Sequence, residues 1–155
     1  MNANKRFGVM ASYVHAGAQL GALIEVCCES RAASMSSEVR ELAHDLAVHV
    51  AAANPLVVCI EDLSPHMIAA ARDNLRHDGL RAGRSEPFVQ RVEQLEMQRF
   101  HERACLLEQR FIKDASITIH ELLESRSALL KEKLRVVRFA RFATDDSDIQ
   151  EGVRR

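Results

Sequence analysis

A chain of 155 residues, 47% apolar and 28% charged, has the size and composition of one globular domain with its own core. Its 21 lysines and arginines against 22 acids leave a net charge of -1, which removes the electrostatic case for nucleic acid or an anionic membrane as the main partner. No apolar run is long enough to span a bilayer and no charged-then-apolar secretory leader opens the chain, so the expected compartment is the cytoplasm.

Residues 1–7 are polar and read as a disordered lead-in, with one domain expected over 8–142 and a flexible tail over 143–155. Met10 to Val14 and Leu23 to Cys27 are rich in strand-forming residues. They flank a small-residue turn, Ala16-Gly17-Ala18-Gln19-Leu20-Gly21, in which Gly17 and Gly21 are expected to supply the positive φ of a hairpin. A helix should run from about Ser37 to Ala53. Val39, Leu42, Ala43, Leu46, Ala47, Val50 and Ala51 form its apolar stripe, with Ser36 or Ser37 as N-cap and Asn54-Pro55 as its stop. Leu56 to Ile60 reads as a short buried extended segment or strand.

Ser64-Pro65 is a helix start, a capping hydroxyl followed by proline at the first helical position. That helix should carry Met67, Ile68, Ala71 and Leu75 inward and end near Asp78-Gly79, before an exposed connection, LRAGRSEP. A long helix is expected from Phe88 to about Gln109, with Val89, Val92, Phe100, Ala104 and Leu107 inward. Phe111-Ile112 should be an extended break that tucks two large side chains into the core. Thr118 and Glu121 match the capping box, opening a helix with Leu122, Leu123, Leu129 and Leu130. Leu134 to Phe142 is a final strand whose Arg135, Arg138 and Arg141 would guard a sheet edge. The whole is an α+β domain: β-hairpin, several helices and a returning strand, forming a small antiparallel three-stranded sheet with helices packed on one face.

Residue chemistry argues for no enzyme. Cys27 and Cys28 are adjacent, so a strand turns them to opposite faces, and Cys59 and Cys105 stand alone; reduced, partly buried thiols are the expected state. His44, Asp45 and His49, near Glu41, suggest a metal or phosphohydrolase cluster. The two histidines are five apart, however, and leave a common helical face; solvated surface is the expectation for them. No glycine-rich phosphate loop and no nucleophile elbow occur, so no catalytic residue, metal or cofactor is assigned.

Several strings together resemble a known family. Tyr13-Val14-His15, Gly21 through Glu29, Leu42 through Ala52, Asn54-Pro55, Glu61-Asp62, Leu106 through Asp114 (LLEQRFIKD) and Val136 through Phe142 occur in family order and spacing. On them the chain is similar to the core, or dimerisation, domain of the bacterial elongation factor Ts family. The resemblance implies a protein that binds elongation factor Tu, in its GDP-bound or nucleotide-free state, and promotes release of GDP. Factor and nucleotide then weaken each other reciprocally, by linkage.

The same resemblance implies where the partner is met. The family's Thr-Asp-Phe-Val wedge, which disturbs the magnesium and phosphate contacts of the GTPase, aligns here with Ser30-Arg31-Ala32-Ala33. The acid has become a base and the aromatic ring a methyl group. Tyr13, His15 and Gly17, which lie in a partner-contacting region of the family, are kept. The expected partner-binding set is therefore Tyr13, His15, Gly17, Glu29, Ser30, Arg31 and Ala32. Further departures are Leu130-Lys131 in place of an Ile-Gly turn, Leu95-Glu96 in place of Gly-Arg, and seven residues where a small N-terminal helical domain is expected. Weakened exchange follows, with a non-exchange protein-interaction module, binding the same or another partner, as the alternative. A homodimer through sheet faces is a further implication.

Overall fold

The computed structural model of the chain describes residues 7–81 and 85–144, with the backbone alone over 74–81. Two compact units emerge, one over 7–52 and 132–144 and one over 53–131. Most of the predicted 1–7 lead-in and 143–155 tail lies outside the described residues. Phe7 and Ala143, however, belong to strands.

The first unit is a three-stranded antiparallel sheet in the order β1 (Phe7–Val14), β2 (Leu20–Cys28) and β5 (Arg135–Ala143). The returning strand of the prediction is thus an edge strand, with β2 at the centre. Register explains the alternation of the sequence. Tyr13 lies opposite Ala22, Ala11 opposite Ile24 and Val9 opposite Val26, so these residues share one face. Ala22, Ile24 and Val26 are buried there. The helix α2 (Ser37–Ala53) lies on this face: the Tyr13 ring meets the His44 ring edge-on at 6.3 Å, and Arg141 Nε donates to Ala51 O at 3.0 Å. The predicted stripe, Val39 through Ala51, is buried at every position. Removing these side chains from water supplies about 25 cal/mol per Å² of apolar surface, which makes this packing the main support of the unit.

The helix caps follow the sequence, with one refinement. Ser36 Oγ accepts from Val39 N, so Ser36 is the N-terminal cap of α2, and Asn54 stops the helix in the left-handed region at φ 49°. A short helix absent from the prediction, α1 (Arg31–Met35), joins β2 to α2.

The hairpin turn differs from expectation. Its left-handed residue is Ala18, at φ 54°, and neither Gly17 nor Gly21 lies in the left-handed region. Leu20 and Gly21 are already in β2. Gly21 is required by close approach, because a Cβ there would sit 3.1 Å from Tyr13 O. At Gly17 a Cβ would meet nothing within 4 Å.

The second unit is helical with a small two-stranded sheet. Leu56 to Ile60 does not form a strand; Val57 makes an isolated parallel bridge to Cys105, and a 3-10 turn spans Ile60–Asp62. Leu56 is 44% exposed, because the segment is held by its backbone rather than by burial of every side chain. α3 (Pro65–Arg81) starts as predicted, with Ser64 Oγ accepting from Met67 N, and runs past Gly79. Met67 and Ile68 pack on Leu63, Ala104 and Cys105. The Leu75 side chain lies outside what is described, as do residues 82–84 of the LRAGRSEP connection.

α4 (Glu86–Ala104) ends five residues before the predicted Gln109, and the chain then makes a 3-10 turn over Leu106–Glu108. This shift places Leu106, rather than Leu107, in the core. Val89 and Ala104 are buried as expected, and Met97 joins them, while Phe88 is 47% exposed. β3 (Arg110–Phe111) and β4 (Asp114–Thr118) form a hairpin that buries Phe111 but leaves Ile112 51% exposed. Ile112 falls in the turn after β3 and not in the expected extended break, so only Phe111 faces the core. α5 (Ile119–Leu130) opens with the predicted capping box, and Leu122 and Leu123 are buried while Leu129 is 70% exposed.

Candidate partner-binding surface

The predicted partner residues fall into two groups at opposite ends of β2. Tyr13, His15 and Gly17 lie at the hairpin end. Glu29, Ser30, Arg31 and Ala32 follow the far end of the strand. The eight residue steps from Ala22, which faces Tyr13, to Ser30 span about 26 Å at strand rise. The structure does not bring the two groups together, so any one partner touching both must cover the length of the sheet.

At the hairpin end, residues 14–19 are exposed. His15 N donates to Leu20 O at 2.8 Å and Ala18 N donates to His15 O at 2.7 Å, which closes the turn. The Tyr13 hydroxyl lies 2.8 Å from His15 Nδ1. With the phenol donating, the neutral imidazole carries its proton on Nε2, a donor that points away from Tyr13. His44 is exposed, as expected, with its ring set edge-on to Tyr13. His49, expected likewise, is 1% exposed and belongs to the core. Position 49 extends the buried face of α2 beside Val50, a placement that a polar residue type concealed. His44 and His49 therefore lie in different environments and do not converge on one ligand site.

The far end of β2 is bound down more tightly. Ser30 is the N-cap of α1: its Oγ accepts from Ala33 N at 3.1 Å. Glu132, more than a hundred residues later, accepts from Glu29 N and from Ser30 N, each at 3.1 Å, and from the Ser30 hydroxyl. Those hydrogen bonds hold the Glu132 carboxyl below its ordinary range, the Ser30 hydroxyl contributing most. The Cys28 thiol donates to Ser30 O at 3.3 Å, and burial above all pushes that thiol up. Arg31 and Ala32 stand exposed on the first turn of α1, while Ala33 is buried. Glu132 was not among the predicted site residues, and nothing local to it signals its role, because the contact is wholly long-range.

The face of the sheet opposite α2 is unusually apolar for an exposed surface. Met10 is 61% exposed, Val14 66%, Leu23 40% and Phe142 74%. The register puts Val14, Gly21 and Phe142 in one row and Met10, Glu25 and Arg138 in another. Glu25 and Arg138 form an ion pair at 2.7 Å. Of the three arginines expected to guard the edge, Arg138 does lie on this open face, whereas Arg141 turns inward to α2.

In the second unit, the LLEQRFIKD string proves architectural. Leu106, Gln109 and Phe111 are its buried members. Gln109 Nε2 donates to Arg103 O at 2.6 Å and Gln109 O accepts from Ile119 N at 2.9 Å, so one residue joins the end of α4 to the start of α5. Asp114 accepts from Ser116 N and Ser116 Oγ, which holds its carboxyl below the usual range. Burial first, then nearby carboxylates, pushes both the Cys59 and the Cys105 thiol up to about 11, which disfavours the thiolate. Among the described residues no group of three or more histidines, cysteines or carboxylates is arranged to hold a metal ion, and no helix is long and apolar enough to cross a membrane.

The comparisons with known proteins agree with this architecture. A family model described as Elongation factor TS matches residues 1–146. The chain is 36% identical over 90% of its length to the elongation factor Ts of Solibacter usitatus, and 37% identical over 90% to that of Koribacter versatilis. It is 36% identical over 92% of its length to that of Moorella thermoacetica. The aligned region spans 66%, 64% and 70% of those three relatives, so it falls just short of two thirds of the first two. The matched stretch contains the three-stranded sheet, the Gln109 junction and the Ser30–Glu132 contact alike, and on it the chain belongs to the elongation factor Ts family.

Proposed function

We propose that the chain is an elongation factor Ts-like translation factor of the cytoplasm that binds elongation factor Tu and promotes release of GDP, with weakened exchange. The observation that carries this reading is the pair of exposed features at the two ends of β2, on a fold of the family: the Tyr13–His15 hairpin end and the first turn of α1. Tyr13, His15 and Gly17 form the holding surface. There the His15 Nε2–H meets a carbonyl or carboxylate of the partner. Arg31 and Ala32 occupy the wedge position, where the family pattern has an acid and an aromatic ring.

A methyl group at Ala32 displaces little, and a guanidinium at Arg31 is attracted to phosphate instead of competing with it for magnesium. Binding without strong differential affinity for the nucleotide-free state accelerates release only slightly. Stopped-flow release of a fluorescent GDP analogue from elongation factor Tu tests this. Slow but measurable acceleration is expected, and Arg31→Asp with Ala32→Phe should increase it. Release at the rate of a complete family member would overturn the weakened-exchange reading.

The apolar open face of the sheet favours a second reading, a non-exchange interaction module. Met10, Val14, Leu23 and Phe142 form a surface suited to burial against another protein, including a second copy of this chain. Light scattering of the purified chain and of Phe142→Asp separates the two. A dimer that dissociates in the variant, with no GDP release in either, supports the module.

A further inference from the structure

We infer that Glu132 is a positioning residue for the exposed Arg31–Ala32 turn, holding the segment that follows β2 in the conformation it presents to its partner. This rests on the reading that the first turn of α1 faces elongation factor Tu.

Ser30 is restrained at every polar atom. Its N–H and hydroxyl go to the Glu132 carboxylate, its Oγ accepts from Ala33 N, and its carbonyl accepts from the Cys28 thiol and from Ser34 N. Glu29 N shares the same carboxylate oxygen as Ser30 N. One side chain from the segment entering β5 thus binds two successive amides and a cap hydroxyl. A five-residue helix has no stability of its own, since it is shorter than the length at which an isolated helix becomes marginal. Its placement therefore depends on such outside ties. The next two side chains, Arg31 and Ala32, reach solvent directly from this restrained point.

The geometry of the chain before Glu132 serves the same end. Lys131 takes the left-handed conformation, φ 54° and ψ 37°, at the C-terminus of α5. That reversal ends the helix one residue before Glu132. Charge contributes as well as geometry, because hydrogen bonds to a carboxylate are stronger than those to a neutral acceptor.

The test uses the full chain, Glu132→Ala and Glu132→Gln. Glutamine keeps an amide oxygen for the two backbone donors and an NH2 group that can donate to Ser30 Oγ. Amide hydrogen exchange by NMR should accelerate about tenfold or more in Glu132→Ala at Glu29, Ser30 and Ala33. Ile24 and Val26 should keep their protection, and Glu132→Gln should restore most of the loss. Titration of elongation factor Tu then separates holding from positioning. Glu132→Ala should at least halve the maximal acceleration of GDP release over the spontaneous rate, since small misplacements of a working group weaken its effect. The half-saturating concentration should move less than about twofold, because the Tyr13–His15 end is untouched.

Equal loss of protection at Ile24 and Val26 would make Glu132 merely a fold-stabilising residue and overturn the inference. So would local loosening with an unchanged maximal rate. Absence of any release by the unaltered chain is a different failure: it removes the exchange reading, and the positioning role with it.

Discussion

Lys131 offers the sharpest test of the physical reasoning. It caps α5 in the left-handed region, its N–H donating to Ala128 O and Ser127 O, and it is exposed. A residue with a Cβ pays roughly 1–2 kcal/mol for this conformation relative to the right-handed one. Glycine avoids that strain but loses more backbone freedom on folding, about 0.5–1 kcal/mol. Lys131→Gly should therefore stabilise the chain by about 0.5–1 kcal/mol, the backbone bonds of the cap being unchanged. In a chain of this length that raises the melting midpoint by roughly 1–4 °C. The assay is urea unfolding followed by circular dichroism, with an increase in midpoint and no change in slope. Lys131→Ala is the control, because it removes the charge and keeps the Cβ. Equal stabilisation by alanine and glycine would show that charge, not backbone strain, sets the effect; destabilisation by glycine would refute the argument outright.

The remaining predictions are simpler. Thr118→Ala removes the hydroxyl that accepts from Glu121 N and should lower stability by about 1 kcal/mol, read from the same unfolding curves. Gly17→Ala should leave the fold intact, because a Cβ there meets nothing, whereas Gly21→Ala forces a contact with Tyr13 O and should lower the melting midpoint. A loss of elongation factor Tu binding in Gly17→Ala at unchanged stability would then locate the partner on the hairpin turn. The pH dependence has a definite sign. The Glu132 carboxyl is held below its ordinary value of 4.5 in the folded chain, chiefly by Ser30. Its stabilising contribution is complete above that value and is lost as pH falls through the lower, folded-state one. Glu132→Gln should thus flatten the decline in stability below about pH 4.5, and parallel curves for the two proteins would refute the assignment.

Much of the architecture was legible because it is written locally. The apolar spacing of Val39 through Ala51 has the period of a helix, and all of it is buried. Ser64-Pro65 and the Thr118–Glu121 pair are capping signals whose hydrogen bonds span three residues, and both start helices as expected. The alternation in β2 and its pairing in a three-stranded sheet follow from a period of two. Errors arose where neighbours in sequence compete for one place. Of Phe111 and Ile112 only the first is inside, and of Leu106 and Leu107 the core takes Leu106, because α4 stops at Ala104.

The candidate site was only half visible. Tyr13, His15 and Gly17 stand out through the resemblance, and Arg31 and Ala32 through their departure from it. Their separation along β2 could not be read from the chain. Three features were decided by tertiary structure alone. His49 is core because α2 is buried at that position beside Val50, whatever the residue's polarity. The hairpin strains Ala18 and not its glycines, since the register of β1 on β2 determines which turn residue must reverse the chain. Glu132 meets Ser30 across more than a hundred residues, through a contact that no spacing encodes. Sequence by itself determined the long hairpin, the longer helices with their starting caps, the returning strand and the family; the fold decided which exposed residues are held still, because only it brings distant backbone donors to one carboxylate.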